Sequence, residues 1–500
     1  MAMELPDLTK RTLDKDLDKL TNVEAATHYL ARQFANYATA TLFLIVAGFF
    51  AGASVSNSPG VWIIIAAGAV GAYMAVNIGA NDVTNNVGPA VGAKAISMGA
   101  ALVLAAVFEI AGALLAGGGV VHTISSGIID TSDVANADVL VWIMMSALLA
   151  AALWVNLATW LKAPISTTHA IVGGVAGAGI AASGLDAVDW IAMARIAAGW
   201  MVSPLLGGLV AIAFLAFIKE FIIYRTDKVA AARFWVPILS AILAGVFASY
   251  LALIGVQQIV QISVGNSLLI GLLCAGLTWL ASAPFVKKQS VGLENRNQSL
   301  RQLFQIPLIF SAALLSFSHG ANDVSNAVGP LAAIVQAVQN NSMSNDVDVP
   351  LWVMLIGAFG LSCGILLFGP RLIRLVGEQI TKLNPMRAFC VSLATALTVL
   401  LASWLGMPVS TTHTAVGAVF GVGFFREWYT RNSKRRKLTV RAQPIRATDN
   451  VFETDAVEMR RRYLVRRSHF MTIIAAWMIT VPASATLAAW LYWVMFRLFI

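Results

Sequence analysis

Charged residues are scarce in this chain. Only 12% of its 500 residues are Asp, Glu, Lys or Arg, whereas 58% are hydrophobic, and the mean hydropathy is +0.76. A soluble globular domain usually carries about 25% charged residues, so the scarcity excludes a water-soluble protein. Apolar runs such as 42–53 are continuous and do not alternate with polar residues. The sequence therefore predicts an all-α polytopic membrane protein and disfavours a β-barrel.

Cysteine is rare as well. The three cysteines, Cys274, Cys363 and Cys390, lie in apolar segments without metal-like spacing, so we interpret them as buried hydrophobic residues. We expect no cofactor. Residues 1–38 are polar and mixed in charge, so no cleavable signal peptide is visible and the first apolar helix should direct insertion. No GxxxxGK[ST] loop is present, which argues against an ATP-driven protein.

Two pairs of motifs are duplicated along the chain. GANDVTNNVGP at 79–89 is nearly repeated as GANDVSNAVGP at 320–330, 241 residues later, and PISTTH at 164–169 returns as PVSTTH at 408–413, 244 residues later. Two independent matches at almost the same offset indicate an internal duplication. Each GANDV motif places polar residues between Gly and Pro inside apolar sequence, where we expect a broken helix or a re-entrant segment.

The charges of the loops indicate that the two halves are inverted. The loop 118–138 carries three Asp and no Lys or Arg, whereas its counterpart 371–387 carries four Lys and Arg. Because Lys and Arg mark cytoplasmic loops, equivalent loops should lie on opposite sides of the membrane. This pattern predicts two inverted-topology repeats in a plasma (inner) membrane, with a cytoplasmic N-terminus and an external C-terminus. Such repeats are typical of secondary transporters.

The apolar segments predict roughly 12 or 13 transmembrane segments. The stretch 426–467 carries 13 Lys and Arg against 5 Asp and Glu, which favours a cytoplasmic loop near anionic headgroups over a regulatory or nucleic-acid site. We expect a polar N-terminal segment (1–38), an extra N-terminal transmembrane helix (39–60), a first inverted repeat (61–218), a linking transmembrane hairpin with basic loops (219–302), a second inverted repeat (303–425), a basic cytoplasmic loop (426–468) and a last transmembrane helix of the second repeat (469–500).

The duplicated motifs supply two kinds of ligand. Broken helices expose amides that favour anions, and carbonyl and side-chain oxygens that can hold a small cation. The candidate ligands for the coupling ion are Asn81, Asp82, Asn85, Asn322, Asp323 and Asn326. The hydroxyl groups of the STTH motifs fit a tetrahedral oxyanion, although a single such motif would more simply be an N-cap. These candidates are Ser166, Thr167, Thr168, Ser410, Thr411 and Thr412, followed by His169 and His413.

In these motifs the chain resembles the inorganic phosphate transporter (PiT) family, whose hallmark is a GANDVAN-type motif in each inverted half. The resemblance covers about residues 61–496. It implies a symporter that imports inorganic phosphate with sodium or protons, with phosphate near the Ser/Thr motifs and cations near the Asn/Asp motifs. It also suggests a homodimer in the lipid bilayer, with no nucleic acid as partner. Thr84 and Ser325 replace the usual Ala, and their hydroxyls could either add ligands or only pack.

Several alternatives remain at this stage. Glu109 lies in an apolar segment, where it could take part in coupling or make a structural hydrogen bond, and its repeat counterpart falls near Gly360. A sulfate permease would have the same architecture, but phosphate can donate a hydrogen bond to Asp82 or Asp323 at neutral pH and sulfate cannot. An intramembrane hydrolase is a remote alternative, because two equivalent full sites do not suit a single nucleophile or dyad. We therefore expect a transporter and not an enzyme.

Overall fold

The structure is a computed structural model, and it describes residues 11–55, 60–161, 163, 165–255, 260–340, 347–379, 383–433 and 467–499. Residues 1–10 of the predicted polar segment and residues 434–466 of the predicted basic loop lie outside the described residues, as does Pro164 of the first STTH motif. The described residues are mostly helical, which confirms the predicted all-α class.

The helices of the first part of the chain are α1 (Arg11–Ser54), α2 (Val61–Asn86), α3 (Gly88–Gly92), α4 (Met98–Ala116), α5 (Gly118–Ser126), α6 (Ala137–Trp160), α7 (Thr167–Ser183) and α8 (Trp190–Ile218), which a π-helical turn, Lys219–Ile223, extends. A hairpin of α9 (Lys228–Ile254) and α10 (Val264–Gln289) follows. The remaining helices are α11 (Asn297–Leu303), α12 (Gln305–Asp323), α13 (Ser325–Asn340), α14 (Leu351–Gln379), α15 (Pro385–Trp404), α16 (Thr411–Asn432) and α17 (Arg467–Phe499).

Ten of the described helices are long and apolar enough to cross a membrane, or eleven if α11 and the α12–α13 unit, bent by 48°, form one more span. The predicted count of 12 or 13 also included the segments that became α7 and α16. At 17 residues α7 is about 26 Å long, which is shorter than the apolar core of a bilayer. Charged residues such as Arg426 and Glu427 interrupt the hydropathy of α16. The polytopic class is confirmed, and these two helices account for the difference in number.

In each GANDV segment one helix ends and another begins. Helix α2 continues through Asp82 and stops at Asn86, one residue before Val87, and α3 then starts at Gly88 with Pro89 in its first turn. Proline suits the first turn of a helix because a backbone N–H at that position would have no intrahelical partner, so nothing is lost when it is absent. In the second half the interruption is a single residue, Val324, between α12 and α13. Asp323 is therefore the last residue of α12, and Asp82 lies four residues before the end of α2.

Contacts between the helices recur at the offsets of the sequence motifs. Helix α2 packs on α14, and α12 packs on α4. Gly79 of α2 lies against the carbonyl of Leu361, and Gly320 of α12 lies in the same way against the carbonyl of Glu109, so neither position has room for a Cβ. Each GANDV helix is thus locked to a helix of the other half. The contacts make Leu361 the counterpart of Glu109, one residue from the predicted Gly360.

The same correspondence holds around the STTH helices. Helix α7 packs on α17, and α16 packs on α8. Gly177 lies against the backbone of Ala485, and Gly421 lies against that of Gly208. Small residues at such crossings let helix backbones approach closely, which is the usual basis of helix association in membranes. The helices that carry the motifs are therefore held in two similar crossed pairs.

We expect Gly320→Ala to destabilise the protein, because the new methyl group would meet the backbone of Glu109, which can move only if the crossing of α12 and α4 opens. Overpacking of this kind costs about 1–3 kcal/mol. The matched control is Gly99→Ala in α4, where a Cβ meets nothing within 4 Å and alanine is the better helix former. Thermal unfolding in detergent should show a lower melting temperature for Gly320→Ala alone. Equal melting temperatures for both variants would contradict the close crossing.

Candidate functional site

The duplicated motifs meet at a buried cluster around Asp82. Its Oδ2 accepts a hydrogen bond from Thr167 Oγ1 at 3.1 Å, and its Oδ1 accepts one from Thr412 Oγ1 at 3.0 Å. Asp82 is only 1% exposed. Since Thr167 belongs to the first STTH motif and Thr412 to the second, one carboxylate is bound by both halves of the chain.

Asp323 occupies the corresponding position in the second half. Its Oδ2 accepts a hydrogen bond from Thr411 Oγ1 at 2.9 Å, just as Asp82 accepts from Thr167. The amide of Asn85 donates to Thr412 Oγ1 at 2.8 Å, and that of Asn326 donates to Thr168 Oγ1 at 3.2 Å. The structure therefore brings together Asp82, Asp323, Asn85, Asn326, Thr167, Thr168, Thr411 and Thr412 as the sequence predicts.

Ser166 and Ser410 act as helix caps. Ser166 Oγ accepts a hydrogen bond from the backbone N–H of His169 at 3.1 Å, and Ser410 Oγ accepts one from that of His413 at 3.2 Å. These bonds fix the starts of α7 and α16, and both hydroxyl groups keep a hydrogen that can be donated, so their assignment as phosphate ligands stays a prediction. Of the threonines that follow, Thr167, Thr411 and Thr412 donate to the carboxylates.

The N-terminal ends of α7 and α16 face each other. The imidazole rings of His169 and His413 are 4.5 Å apart, and Thr168 Oγ1 donates to the carbonyl of Val409 at 3.2 Å. Each imidazole also packs 3.7 Å from an indole ring, His169 on Trp200 and His413 on Trp477. The positive ends of two helix dipoles thus converge on one buried place, which favours an anion there.

Asn81 and Asn322 point away from the carboxylates and hold the chain before the STTH motifs. Asn81 Nδ2 donates to Thr159 Oγ1 at 2.9 Å, and Asn322 Nδ2 donates to Ser403 Oγ at 3.1 Å. Asn322 Oδ1 also accepts the backbone N–H of Val409 at 3.2 Å. In this conformation the two side chains support the site and do not line it, so their assignment as ion ligands remains a prediction.

Thr84 and Ser325 also bond within their own surroundings. Thr84 Oγ1 donates to the carbonyl of Asn81, and Ser325 Oγ donates to that of Asn322. Each hydroxyl satisfies the backbone of the preceding helical turn. The geometry therefore supports the packing alternative for both residues.

His319 lies in the centre of the cluster, and sequence reasoning missed it. Its Nε2 is 3.1 Å from Asp323 Oδ2 and 3.7 Å from Asp82 Oδ2, while its Nδ1 is 3.0 Å from Glu109 Oε1. The side chain is fully buried. Two signals could have found it: His319 directly precedes the second GANDV motif, and it is four residues before Asp323, on the same helical face.

Glu109 is part of the same cluster. Besides His319 it contacts Asn86, whose Nδ2 donates to Glu109 Oε1 at 2.6 Å. The three polar side chains have no polar counterparts, because the equivalent positions are Ile78 for His319, Ala327 for Asn86 and Leu361 for Glu109. The two halves therefore match at Asp82 and Asp323 but differ in this polar trio.

The cluster has more negative groups than positive ones. Among the described residues, the ion-pair contacts of Asp82, Glu109 and Asp323 all go to the single imidazole of His319. Glu109 Oε2, Asp323 Oδ1 and Asn326 Oδ1 have no hydrogen-bond donor. Buried charge of this kind is costly unless it is paired. Carboxylate, amide and hydroxyl oxygens are hard ligands, so small hard cations are the ions that would complete the site.

Atoms suited to cation binding are already close together. One side-chain ligand atom each from Asp82, His319 and Asp323 lies within 4.8 Å of the other two. Imidazole nitrogen prefers transition metals, whereas oxygen suits alkali and alkaline-earth cations. The carboxylate oxygens of Asp82 and Asp323 are therefore the atoms of this group that suit a hard cation, and the imidazole of His319 lies beside them.

Comparison with known proteins identifies the family. The family model described as "Phosphate transporter family" matches residues 78–488. The chain is 42% identical to a Helicobacter pylori protein named "Putative phosphate permease", over 95% of this chain and 98% of that one. It is 34% identical to "Inorganic phosphate transporter 2-1, chloroplastic" of Arabidopsis thaliana, over 85% of this chain and 70% of that one.

A solved structure agrees with these relatives. It is described as "The sodium-dependent phosphate transporter" and superposes with a TM-score of 0.75 at 33% identity, covering 87% of this chain and 99% of that one. The part of the chain that the family model matches includes both GANDV motifs and both STTH motifs. Since the family consists of transporters, the hydrolase alternative is excluded. The chain belongs to the phosphate transporter family and is a multi-pass membrane transporter, not an enzyme.

Proposed function

We propose that this protein imports inorganic phosphate by symport with sodium, through alternating access around the cluster of Asp82 and Asp323. The observation that carries the proposal is the meeting of two helix N-termini, with their threonine hydroxyls, at two buried carboxylates contributed by both halves. The sodium-dependent phosphate transporter that resembles this chain supports sodium as the coupling ion. A proton is the alternative coupling ion.

Phosphate fits the anion side of this site. The threonine hydroxyls and the free amides at the starts of α7 and α16 can donate to phosphate oxygens. The carboxylates of Asp82 and Asp323 can accept a hydrogen bond from a protonated phosphate oxygen. Sulfate carries no such proton at neutral pH, so it would leave the carboxylates facing an anion without a hydrogen bond. The site should therefore prefer phosphate to sulfate.

Cations and phosphate should bind together. An anion beside buried carboxylates is repelled strongly, because the interaction is poorly screened away from water. Sodium ions on the oxygen ligands of Asp82, Asp323, Asn85 and Asn326 would remove that repulsion. Phosphate bound without sodium, or sodium bound without phosphate, would each leave charge uncompensated. This mutual dependence is what a symporter requires, and the ion gradient would supply the work.

The repeated helix contacts support an inverted-repeat mechanism. We propose that residues 61–218 form one repeat and that 303–425 with 469–500 form the other, inverted in an inner membrane with the N-terminus in the cytoplasm and the C-terminus outside. The α2–α14 and α4–α12 crossings would connect the repeats while the site opens to one side and then the other. We further propose a homodimer, which the mass of the purified protein in detergent would test.

Uptake of labelled phosphate into proteoliposomes tests the proposed function. A sodium gradient and a pH gradient are imposed separately, each with and without excess sulfate. Uptake that follows the sodium gradient and resists sulfate is the expected result. Uptake driven by the pH gradient alone would identify the proton as the coupling ion. Full competition by sulfate would identify the protein as a sulfate permease.

Two neighbouring substitutions separate binding from capping. Thr167→Val removes the hydroxyl that donates to Asp82 while keeping the shape, so we expect sodium-driven uptake to fall about tenfold or more, the loss of one hydrogen bond to a charged group. Ser166→Ala removes the cap of α7 and should lower stability by about 1 kcal/mol with a smaller change in uptake. Uptake and melting temperature are measured for both variants. A larger uptake defect in Ser166→Ala would reverse the two roles.

A further inference from the structure

A cavity lies near the C-terminal end of α16, the helix that begins in the second STTH motif. Its volume is about 290 Å³, and it forms where the π-helical end of α8, helix α11, the start of α15 and the last turns of α16 meet. Arg426 is 15 residues beyond Thr411 on α16, or about 22 Å along the helix axis. The cavity is therefore separate from the Asp82 and Asp323 cluster. We call it the basic cavity.

Among the residues that the structure describes, four cationic side chains and no carboxylate line the basic cavity. Its lining residues are Lys219, Arg301, Arg387 and Arg426 with Asn297, Asn384, Tyr224, Leu215, Ile223 and Met386. The charges of Arg301 and Arg426 act against that of Arg387. Four like charges around one small volume create a strong positive potential, which an anion entering the cavity would neutralise.

Two of these cations are built into the wall. Lys219 is only 8% exposed, and its Nζ lies 3.9 Å above the ring of Tyr429 and 5.1 Å from that of Phe425. Arg387 Nε donates to Asn384 Oδ1 at 2.9 Å, and the same oxygen caps α15 by accepting the backbone N–H of Arg387. The aromatic rings and the cap hold the charged groups at the cavity, unlike the mobile side chains of an open surface.

The chemistry of the lining identifies a ligand class. Arginine binds phosphate oxygens through paired N–H groups, and basic pockets between transmembrane helices on the cytoplasmic side bind phospholipid headgroups. The volume is at the lower limit of small-molecule sites, which suits a phosphorylated headgroup or a small phosphate ester. We propose that the basic cavity binds a phosphate-bearing anion, supplied by an anionic lipid headgroup or by a soluble phosphate compound.

Binding there would act on the transport site through two helices. Helix α15 connects Arg387 to Ser403, which contacts Asn322, and α16 connects Arg426 to Thr411, which contacts Asp323. An anion that joins the starting turn of α15 to the last turns of α16 would oppose their separation. The site therefore offers a way for the surrounding membrane or the cytoplasmic phosphate pool to tune the protein, and binding itself does not depend on which ion drives transport.

The test measures thermal stability of the full-length protein against increasing probe concentration. The probes are phosphatidylglycerol, with phosphatidylcholine as the uncharged comparison, and glycerol phosphate, which has the same headgroup chemistry without acyl chains. The variants are the double change Arg387→Gln with Arg426→Gln and the single change Arg301→Gln at the exposed rim. The control is Arg296→Gln. Arg296 is exposed, pairs with Glu294 and lies near the cavity in sequence but does not line it.

We expect the unaltered protein and Arg296→Gln to gain several degrees in melting temperature, and the cavity variants to need about tenfold more probe for half the effect. A response to phosphatidylglycerol alone assigns the lipid as the source, and a response to glycerol phosphate assigns a soluble compound. Arg301→Gln keeps the test valid if the double variant does not fold. The proposal is wrong if neither anionic probe stabilises the unaltered protein, or if Arg296→Gln and Arg301→Gln respond equally.

Discussion

Replacing Asp82 with Asn is expected to reduce sodium-driven phosphate uptake by about a hundredfold or more. The carboxylate is buried and accepts hydrogen bonds from Thr167 and Thr412, one from each half of the chain. Asparagine keeps the size but loses the charge that would hold sodium, and a hydrogen bond to a charged group contributes about 1.5–3 kcal/mol. The asparagine oxygen can still accept one of the two bonds, but the loss of the other bond, of the charge and of the cation ligand together gives the expected size of the defect.

The measurement is labelled-phosphate uptake into proteoliposomes, with the melting temperature recorded to separate transport from folding. Thr84→Ala is the matched control, because within the described part of the chain its hydroxyl donates to the backbone carbonyl of Asn81 and makes no contact with the carboxylates. We expect the control to transport at nearly the rate of the unaltered protein. If the Asp82→Asn variant folds and transports phosphate at the normal rate, Asp82 is not part of the coupling site.

The sequence alone predicts the membrane class, the duplication and most members of the cluster. Offsets of 241 and 244 residues make Asp82 equivalent to Asp323 and Thr168 equivalent to Thr412, and these side chains meet in the structure. A repeated polar motif inside an apolar segment is expensive to bury, so its members had to find partners. The strongest partners available were the equally repeated hydroxyl groups.

Other roles depend on the direction of each side chain around its helix, which the sequence does not specify. Asn81 and Asp82 are neighbours, yet one contacts Thr159 and the other contacts Thr167. Neighbouring residues in an α-helix are about 100° apart around the axis, so only one of the two can face a given partner. The same reason separates Ser166, which caps its helix, from Thr167, which reaches a carboxylate.

A comparison of the two halves for shared motifs cannot identify His319, because this residue occurs in one half only. His319 is equivalent to Ile78 in the first half, so it is not part of the shared pattern. Glu109, which contacts His319, and Asn86, which donates to Glu109, are not part of it either. Comparing the halves for differences in polarity would have found all three. Buried polar groups cost more than apolar ones unless they are paired, so polar residues confined to one half are candidates for function.

The polar trio of Asn86, Glu109 and His319 leads to the second large prediction, in which stability and transport separate. Glu109→Leu alone should destabilise the protein by about 3 kcal/mol, because it leaves His319 and Asn86 buried without their shared partner. The triple variant Asn86→Ala, Glu109→Leu and His319→Ile copies the apolar residues of the other half. The triple variant no longer leaves Asn86 and His319 buried without Glu109, but Asp82 and Asp323 lose the imidazole contact, so it should still fold and regain part of the lost stability.

Transport should not recover with it. If Glu109 and His319 set the charge around Asp82 and Asp323, the triple variant will fold well yet take up phosphate at least about tenfold more slowly, since a change of 1.4 kcal/mol in coupling is a factor of ten. Leu361→Met, a volume-conserving change at the counterpart of Glu109, should leave melting temperature and uptake nearly unchanged. A stable triple variant with full uptake would make Glu109 a structural hydrogen-bond partner only. An unstable one would instead mean that Asp82 and Asp323 need the imidazole of His319 for stability.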